Sequence, residues 1–211
     1  NQIIIGNVAL RQHAHQTAPE LIPNVINFMQ DPDLAASLLD QDTLLHLRWM
    51  AQKDALGQDL FLVGYPGNYR RHLALLYCEL AQREVEYVTI TLDTREHDLK
   101  QRREIEQGSA YFVDAAATRA ALHGRVLVID GVEKAEQNIL PVINNLLENR
   151  EMSLEDGRML ISNARYRELL NSSSEAELRA MKIFPVHPNF RVIALGLPIP
   201  PFAGTPLDPP L

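Results

Sequence analysis

Gly64-Tyr65-Pro66-Gly67-Asn68-Tyr69-Arg70-Arg71 follows a short apolar run, Leu60-Phe61-Leu62-Val63, and leads into an amphipathic stretch at Arg70–Gln82. A glycine-rich turn between a strand and a helix suits a polyphosphate, because backbone N–H groups converge on the anion and the helix N-terminus faces it. The familiar form is G-x-x-x-x-G-K-[S/T]. Here Gly64 keeps the opening glycine and Gly67 supplies an inner one. Tyr69 stands at the last glycine, Arg70 at the lysine and Arg71 at the hydroxyl that would bind Mg2+. Each replacement changes the chemistry. Tyrosine resists the backbone shape that wraps a phosphate, and arginine keeps the charge but is planar and bulkier than an ammonium. Loss of the hydroxyl removes a protein ligand for the metal. Alone, the loop reads more readily as a plain strand-to-helix turn with solvated arginines.

Spacing further along changes that reading. Val126-Leu127-Val128-Ile129 is a second apolar strand and ends at Asp130, the place of a carboxylate that holds Mg2+ on a bound nucleotide. Gly131 follows, where a glutamate would polarise the attacking water. Glu133 is close by; next to Lys134 it reads as a surface carboxylate, with a catalytic role as the alternative.

Elements of one kind must position these groups. Strands are expected at Leu60–Val63, Val85–Leu92, Val126–Ile129 and Phe190–Leu195, and helices at Arg70–Gln82, Val113–His123 and Gln137–Asn149. Nearly continuous apolar strands alternating with amphipathic segments indicate a parallel sheet covered on both faces, an α/β doubly wound domain. Upstream, an Ile-rich opening precedes helical patterns at Asp33–Leu39 and Asp42–Ala55, where Trp49 among Leu44, Leu45, Leu47 and Met50 reads as a core residue. Asp156-Gly157 between alternating flanks predicts a hairpin over Met152–Ser162. Asn171–Ser174 predicts a break, and the Pro-rich stretch from Pro198 predicts irregular structure. Lys100–Glu106 (KQRREIE) mixes charges and reads as a solvated helix face, with an inter-subunit contact as the alternative.

Composition narrows the function classes. A formal net charge of −7 gives a nucleic-acid partner no electrostatic support. No apolar run approaches the roughly 20 residues of a membrane span. The single cysteine, Cys78, excludes an internal disulfide, fits a reducing compartment and lies on an apolar helix face, where an inert buried thiol is expected. His13 and His15 lack a third ligand and read as loop histidines rather than a metal pair. The chain opens at Asn1 rather than Met, so a fragment or processed product is expected.

Longer segments are more specific. Gly124–Ala135 (GRVLVIDGVEKA), Asn138–Glu151 (NILPVINNLLENRE), Ser153–Arg158 (SLEDGR) and Phe190–Ala194 (FRVIA) with Pro198 behind it resemble the dynein- and midasin-related AAA ATPases, including the MoxR group. The resemblance runs over essentially the whole chain. It implies a three-layer P-loop NTPase core, the large AAA subdomain, with a parallel sheet of order 5-1-4-3-2. The fifth strand, the arginine finger and the helical lid would lie beyond the chain end. It further implies one nucleotide-binding core over 1–211, with residues 1–57 packing on an α/β core at 58–211.

ATP or ADP is the implied ligand, with Mg2+ carried by the nucleotide and met by Asp130. Gly64, Tyr65, Pro66, Gly67, Asn68, Tyr69, Arg70 and Arg71 would cradle the phosphates. Ile5 and Gly6, beside Ile4, would line the base, although an edge strand explains them equally well. The sensor position after the fourth strand falls on Leu197 or its neighbours Leu195 and Gly196, none of which can hold a water. Partners would be further AAA modules of a longer parent chain or ring neighbours, in the mitochondrial matrix, with ATPase activity assigned to the parent. The expectation is therefore a nucleotide-binding module with substituted hydrolytic residues, a structural or regulatory part of a larger ATPase. An active module using Arg70 and Glu133, and a nucleotide-free scaffold whose loop is blocked by the Tyr69 ring, are the alternatives.

Overall fold

A computed structural model describes residues 2–5, 7–12, 17–28, 40–135 and 140–204. The chain opens with β1 (Gln2–Ile5) and β2 (Val8–Arg11), an antiparallel pair, then a short helix α1 (Val25–Phe28) and a long one, α2 (Gln41–Ala55). The loop-bearing unit is β3 (Leu60–Val63) and α3 (Tyr69–Leu80), followed by β4 (Val85–Thr89), α4 (Glu96–Leu99), β5 (Gln101–Glu106) and β6 (Ser109–Asp114). Next come α5 (Ala116–His123), β7 (Val126–Asp130) and α6 (Leu140–Glu148). The small strands β8 (Met152–Ser153) and β9 (Met159–Ile161) lead to α7 (Asn163–Leu169), α8 (Glu175–Ala180), β10 (Ile183–Pro185) and β11 (Arg191–Gly196).

The main sheet has the order β3-β11-β7-β4 with every neighbour parallel. Numbered along the expected AAA core, that is 1-4-3-2. Alternation along the strands sends side chains to two separate cores. Leu127, Ile129 and Val192 pack with Ala117, Ala120, Ile143 and Leu146 of α5 and α6. Val126, Val128, Ile193 and Leu195 pack with Leu73, Leu76 and Tyr77 of α3 and with Leu47 and Met50 of α2. Three layers result, and Ile5 and Leu10 of the opening hairpin join the second core. The Asp156-Gly157 hairpin forms as β8 and β9, with Gly157 at φ +83.

Several expectations are corrected. Lys100–Glu106 is not a helix face: Gln101–Glu106 is strand β5, paired antiparallel with β6 through a tight turn at Gln107 (φ +50) and Gly108 (φ +81). Val113 and Asp114 belong to β6, so the following helix begins only at Ala116. Trp49 is not a core residue but is 40% exposed, since α2 buries the stripe Thr43, Leu47, Met50 and Ala51 and turns Trp49 outward. Cys78 is fully buried, and burial pushes its thiol up to about 12. The helical pattern at 33–39, Gly6, His13 and His15 lie outside the described residues. Among the described residues, no helix is long and apolar enough to cross a membrane and no cluster of three metal-ligating side chains occurs.

Candidate functional site

The parallel strands end on one edge, and the loop after β3 folds over it. Gly64 N–H donates to Gly196 O at 3.3 Å, tying the start of the loop to the end of β11. Gly67 takes φ +145, a conformation unfavourable to any residue with a Cβ. Asn68 precedes α3 without a side-chain cap, so the first-turn N–H groups of α3 are left for a ligand. Between loop and strand ends lies a cavity of about 220 Å3 whose wall includes Pro66, Gly67, Arg70, Arg71, Asp130 and Glu133. Thr89, Gly131, Lys134 and Leu197 complete it.

Not every loop residue faces this cavity. Gly64, Tyr65, Asn68 and Tyr69 lie outside its wall. Tyr65 packs edge-on against Phe202 with ring centres 5.8 Å apart. The Tyr69 hydroxyl reaches α2, 2.9 Å from Thr43 Oγ1 and 3.1 Å from His46 Nδ1, which pulls its ring away from the loop interior. Ile5 is buried in the second core and borders a separate apolar hollow of about 420 Å3 with Leu44 and Leu47.

Arg70 and Arg71 play different parts. Nε and one terminal nitrogen of Arg70 are buried with no hydrogen-bond partner among the described residues. Arg71 instead donates to Asp130 Oδ2 from Nη2 at 2.6 Å and from Nε at 3.2 Å. The Tyr87 hydroxyl donates to the same oxygen at 2.5 Å, and the Arg71 guanidinium sits 5.8 Å from the Tyr87 ring centre. Burial alone would raise the Asp130 carboxyl, but the hydrogen bonds from Tyr87 and Arg71 hold it below the usual aspartate range. Burial and the Asp130 contact push the Tyr87 hydroxyl up to about 12, so it stays a donor at neutral pH.

Tyr87 and Thr89 were not singled out in the sequence. The β4–β7 register pairs Tyr87 with Val128 and Thr89 with Asp130, so the two-residue period puts both on the Asp130 face. Only the pairing of two distant strands reveals this.

Glu133 is corrected as well. It is not a surface carboxylate but is 4% exposed, and its Oε2 accepts the Leu197 N–H at 3.2 Å. The short 3-10 turn Val132–Lys134 aims it inward, after Gly131 at φ +84. The sensor position thus contributes a backbone donor to Glu133 and no polar side chain.

Mg2+ does not fit these residues as a protein-held ion. Oδ2 of Asp130 accepts from both Arg71 and Tyr87, so only Oδ1 is left to face a metal, and the Arg71 cation lies against that carboxylate where a second protein ligand would be needed.

A family model described as the AAA domain, dynein-related subfamily, matches residues 59–211. The chain belongs to the dynein-related AAA family. It is 54% identical over 209 residues to von Willebrand factor A domain-containing protein 8 of Mus musculus, covering 99% of this chain but 10% of that protein. The chain thus corresponds to a small part of a much longer relative. A crystal structure from Cytophaga hutchinsonii, provisionally named an ATPase, superposes with a TM-score of 0.55 over 87% of this chain and 47% of that one. At 12% identity it supports the fold alone. The family implies nucleotide binding, typically with Mg2+.

Gly131 directly follows Asp130, and its backbone favours glycine. A Cβ there would lie 3.3 Å from Ile90 O, at a left-handed φ. Gly131→Glu should therefore lower stability by roughly 1–3 kcal/mol and give no turnover. Thermal melts and a phosphate-release assay check both halves; a variant of unchanged stability that hydrolyses ATP would show that the glycine is no constraint.

Proposed function

We propose that this AAA domain holds ADP or ATP at the end of its sheet without efficient hydrolysis, as a structural or regulatory part of a larger ATPase. The observation that carries the reading is Arg70, which lines the loop cavity and has Nε and Nη1 buried with no hydrogen-bond partner among the described residues, ready to turn toward an anion there. Desolvated donors left unsatisfied cost about 1–3 kcal/mol each, more when charged. A phosphate oxygen in the cavity removes that cost. Arg70, Arg71 and Lys134 in the wall outnumber Asp130 and Glu133, which also favours an anion. The open first turn of α3 adds backbone donors.

The hydrolytic half fails on chemistry. Gly131 has no carboxylate, and the sensor position falls on Leu197 or its neighbours Leu195 and Gly196, none with a polar side chain. Titration calorimetry with ATP and with ADP should detect binding of both, with phosphate release near background. A folded protein that gives no heat with either nucleotide refutes the nucleotide reading.

Burial of Glu133 in the cavity wall favours one other reading, a hydrolysing module in which this carboxylate orients water. Turnover that survives inactivation of every other module in the parent chain but is abolished by Glu133→Gln would establish it. Tyr69, held against α2 and outside the cavity wall, withdraws the support for a nucleotide-free scaffold.

The partners in this proposal are other AAA modules of the same parent chain or ring neighbours, in keeping with a relative of which this chain covers 10%. Residence in the mitochondrial matrix belongs to the same proposal and rests on the family resemblance. Organelle fractionation tests it, and a solely cytosolic pool would remove it.

A further inference from the structure

We infer that the Arg71 guanidinium, clamped on Asp130, takes the place of Mg2+, so that the site binds metal-free nucleotide and Mg2+ opposes binding rather than assisting it. This rests on the proposal that the cavity holds a nucleotide. In the usual arrangement an aspartate at the end of the third strand and a loop hydroxyl bracket a hydrated Mg2+, which neutralises phosphate charge. Here the loop hydroxyl position itself carries a cation. Arg71 reaches across to the same aspartate with Nη2 at 2.6 Å and Nε at 3.2 Å.

Three features make the clamp a built one rather than a chance surface pair. The Asp130 side chain is only 17% exposed, which limits how freely water can replace its partners. Tyr87 donates to the same oxygen at 2.5 Å and lays its ring 5.8 Å from the guanidinium carbon, fixing both groups from the neighbouring strand. That register comes from the sheet, which pairs Thr89 with Asp130. Arg71 still borders the cavity, with its side chain 49% exposed, so N–H groups not aimed at Asp130 can meet a phosphate oxygen.

The charge balance follows directly. Free ADP or ATP brings uncompensated negative charge, which Arg70, Arg71 and Lys134 accept. A nucleotide already carrying Mg2+ brings a hydrated divalent cation against Arg71, beside a carboxylate whose charge Arg71 already balances. Like charges at that distance repel, so the metal complex is the poorer ligand. ADP holds Mg2+ less tightly than ATP, and in the presence of Mg2+ more of it stays free. The site therefore favours ADP over ATP when Mg2+ is in excess.

The test is calorimetry of the protein with ADP and with ATP, once in EDTA and once in excess Mg2+, repeated for Arg71→Ser and Arg71→Lys. The expected result is that both nucleotides bind the original sequence at least as tightly in EDTA, with excess Mg2+ weakening ATP severalfold more than ADP. Arg71→Ser, which supplies a hydroxyl and leaves Asp130 with only its Tyr87 bond, should lose tenfold or more in EDTA and regain affinity with Mg2+. Arg71→Lys keeps a cation and should retain most of the metal-free binding, which answers the case in which the serine variant does not fold. Binding by the original sequence that vanishes in EDTA and appears with Mg2+ would overturn this inference while leaving the nucleotide reading intact. Absence of binding under both conditions would overturn the nucleotide reading itself, and this inference with it.

Discussion

Arg70→Ala should leave the unliganded protein as stable as before or slightly more so, while removing half or more of the melting-temperature rise that ADP produces. The two effects have opposite signs because they arise from different states. Without ligand, Arg70 Nε and a terminal nitrogen are buried and unpaired among the described residues. Taking such donors away relieves an unsatisfied desolvation cost, a common trade between stability and function. With ligand, the same nitrogens meet phosphate, and charged hydrogen bonds of this kind contribute about 1.5–3 kcal/mol. Affinity should therefore fall by roughly 10- to 100-fold, since each 1.4 kcal/mol is a factor of ten. At a ligand concentration about 100 times Kd, binding stabilises the folded state by about 2.7 kcal/mol. For a chain of this size that is on the order of 5–10 °C in Tm, and at the same ADP concentration it should fall to about half for a tenfold loss of affinity and to about one-sixth for a hundredfold loss. Differential scanning fluorimetry with and without ADP measures both quantities. A variant that melts well below the original sequence without ligand, yet keeps the full ADP-dependent rise, would show Arg70 to be a structural residue.

The contrast between Arg70 and Arg71 marks how far the sequence reaches. Gly64, Gly67, the strand ending at Asp130 and the spacing between them are local signals, and the sheet places them as expected. Burial on both faces makes Val126–Ile129 apolar throughout, whereas Leu60–Val63 is an edge strand whose Phe61 and Val63 are exposed and stands out by its apolar residues alone. The β5–β6 hairpin gives no such signal. Nearly all of its residues are exposed on both faces, so charge fills both and no two-residue alternation survives. Trp49 failed for a related reason: four apolar neighbours on α2 suggested a core, but the helix has room to bury only one stripe. The Arg71–Asp130–Tyr87 clamp joins β4, β7 and α3, and its geometry exists only once the parallel register is set. Glu133 likewise depends on a left-handed Gly131, which a sequence permits but does not compel.

That register has its own anchor, and removing the anchor should cause the largest loss of stability of any change considered. Arg125 is 9% exposed and donates from Nε to Glu84 Oε2 at 2.7 Å and from Nη1 to Glu86 Oε1 at 2.6 Å. Arg119 adds a second guanidinium on Glu86, 2.7 Å from Nη2 to Oε2, and the backbone N–H groups of Thr17 and Ala18 donate to Glu84. Beside this cluster Val126 N–H donates to Glu84 O at 2.9 Å, starting the ladder that ends with Thr89 opposite Asp130.

Breaking a buried pair by deleting one partner costs about 3–5 kcal/mol, because the charge left behind is uncompensated. Arg125→Met takes the only guanidinium from Glu84, while Glu86 keeps Arg119, and should lower Tm by on the order of 10 °C. The pH dependence gives the cause away. Burial pushes the Glu84 carboxyl up, but hydrogen bonds from Ala18, Arg125 and Thr17 together hold it below the ordinary value of 4.5. A depressed carboxyl stabilises the fold above its unfolded pKa and loses that contribution as pH falls through the folded one. In the Met variant the guanidinium is gone while burial and the Ala18 and Thr17 bonds remain, so the ionised Glu84 carboxylate is held less firmly and contributes less to the fold. The stability gap between the two proteins should accordingly be widest near neutral pH and narrow as pH falls below about 4.5. Urea titrations at several pH values read this directly, and a gap that stays constant would assign the loss to packing of the arginine stem rather than to stranded charge.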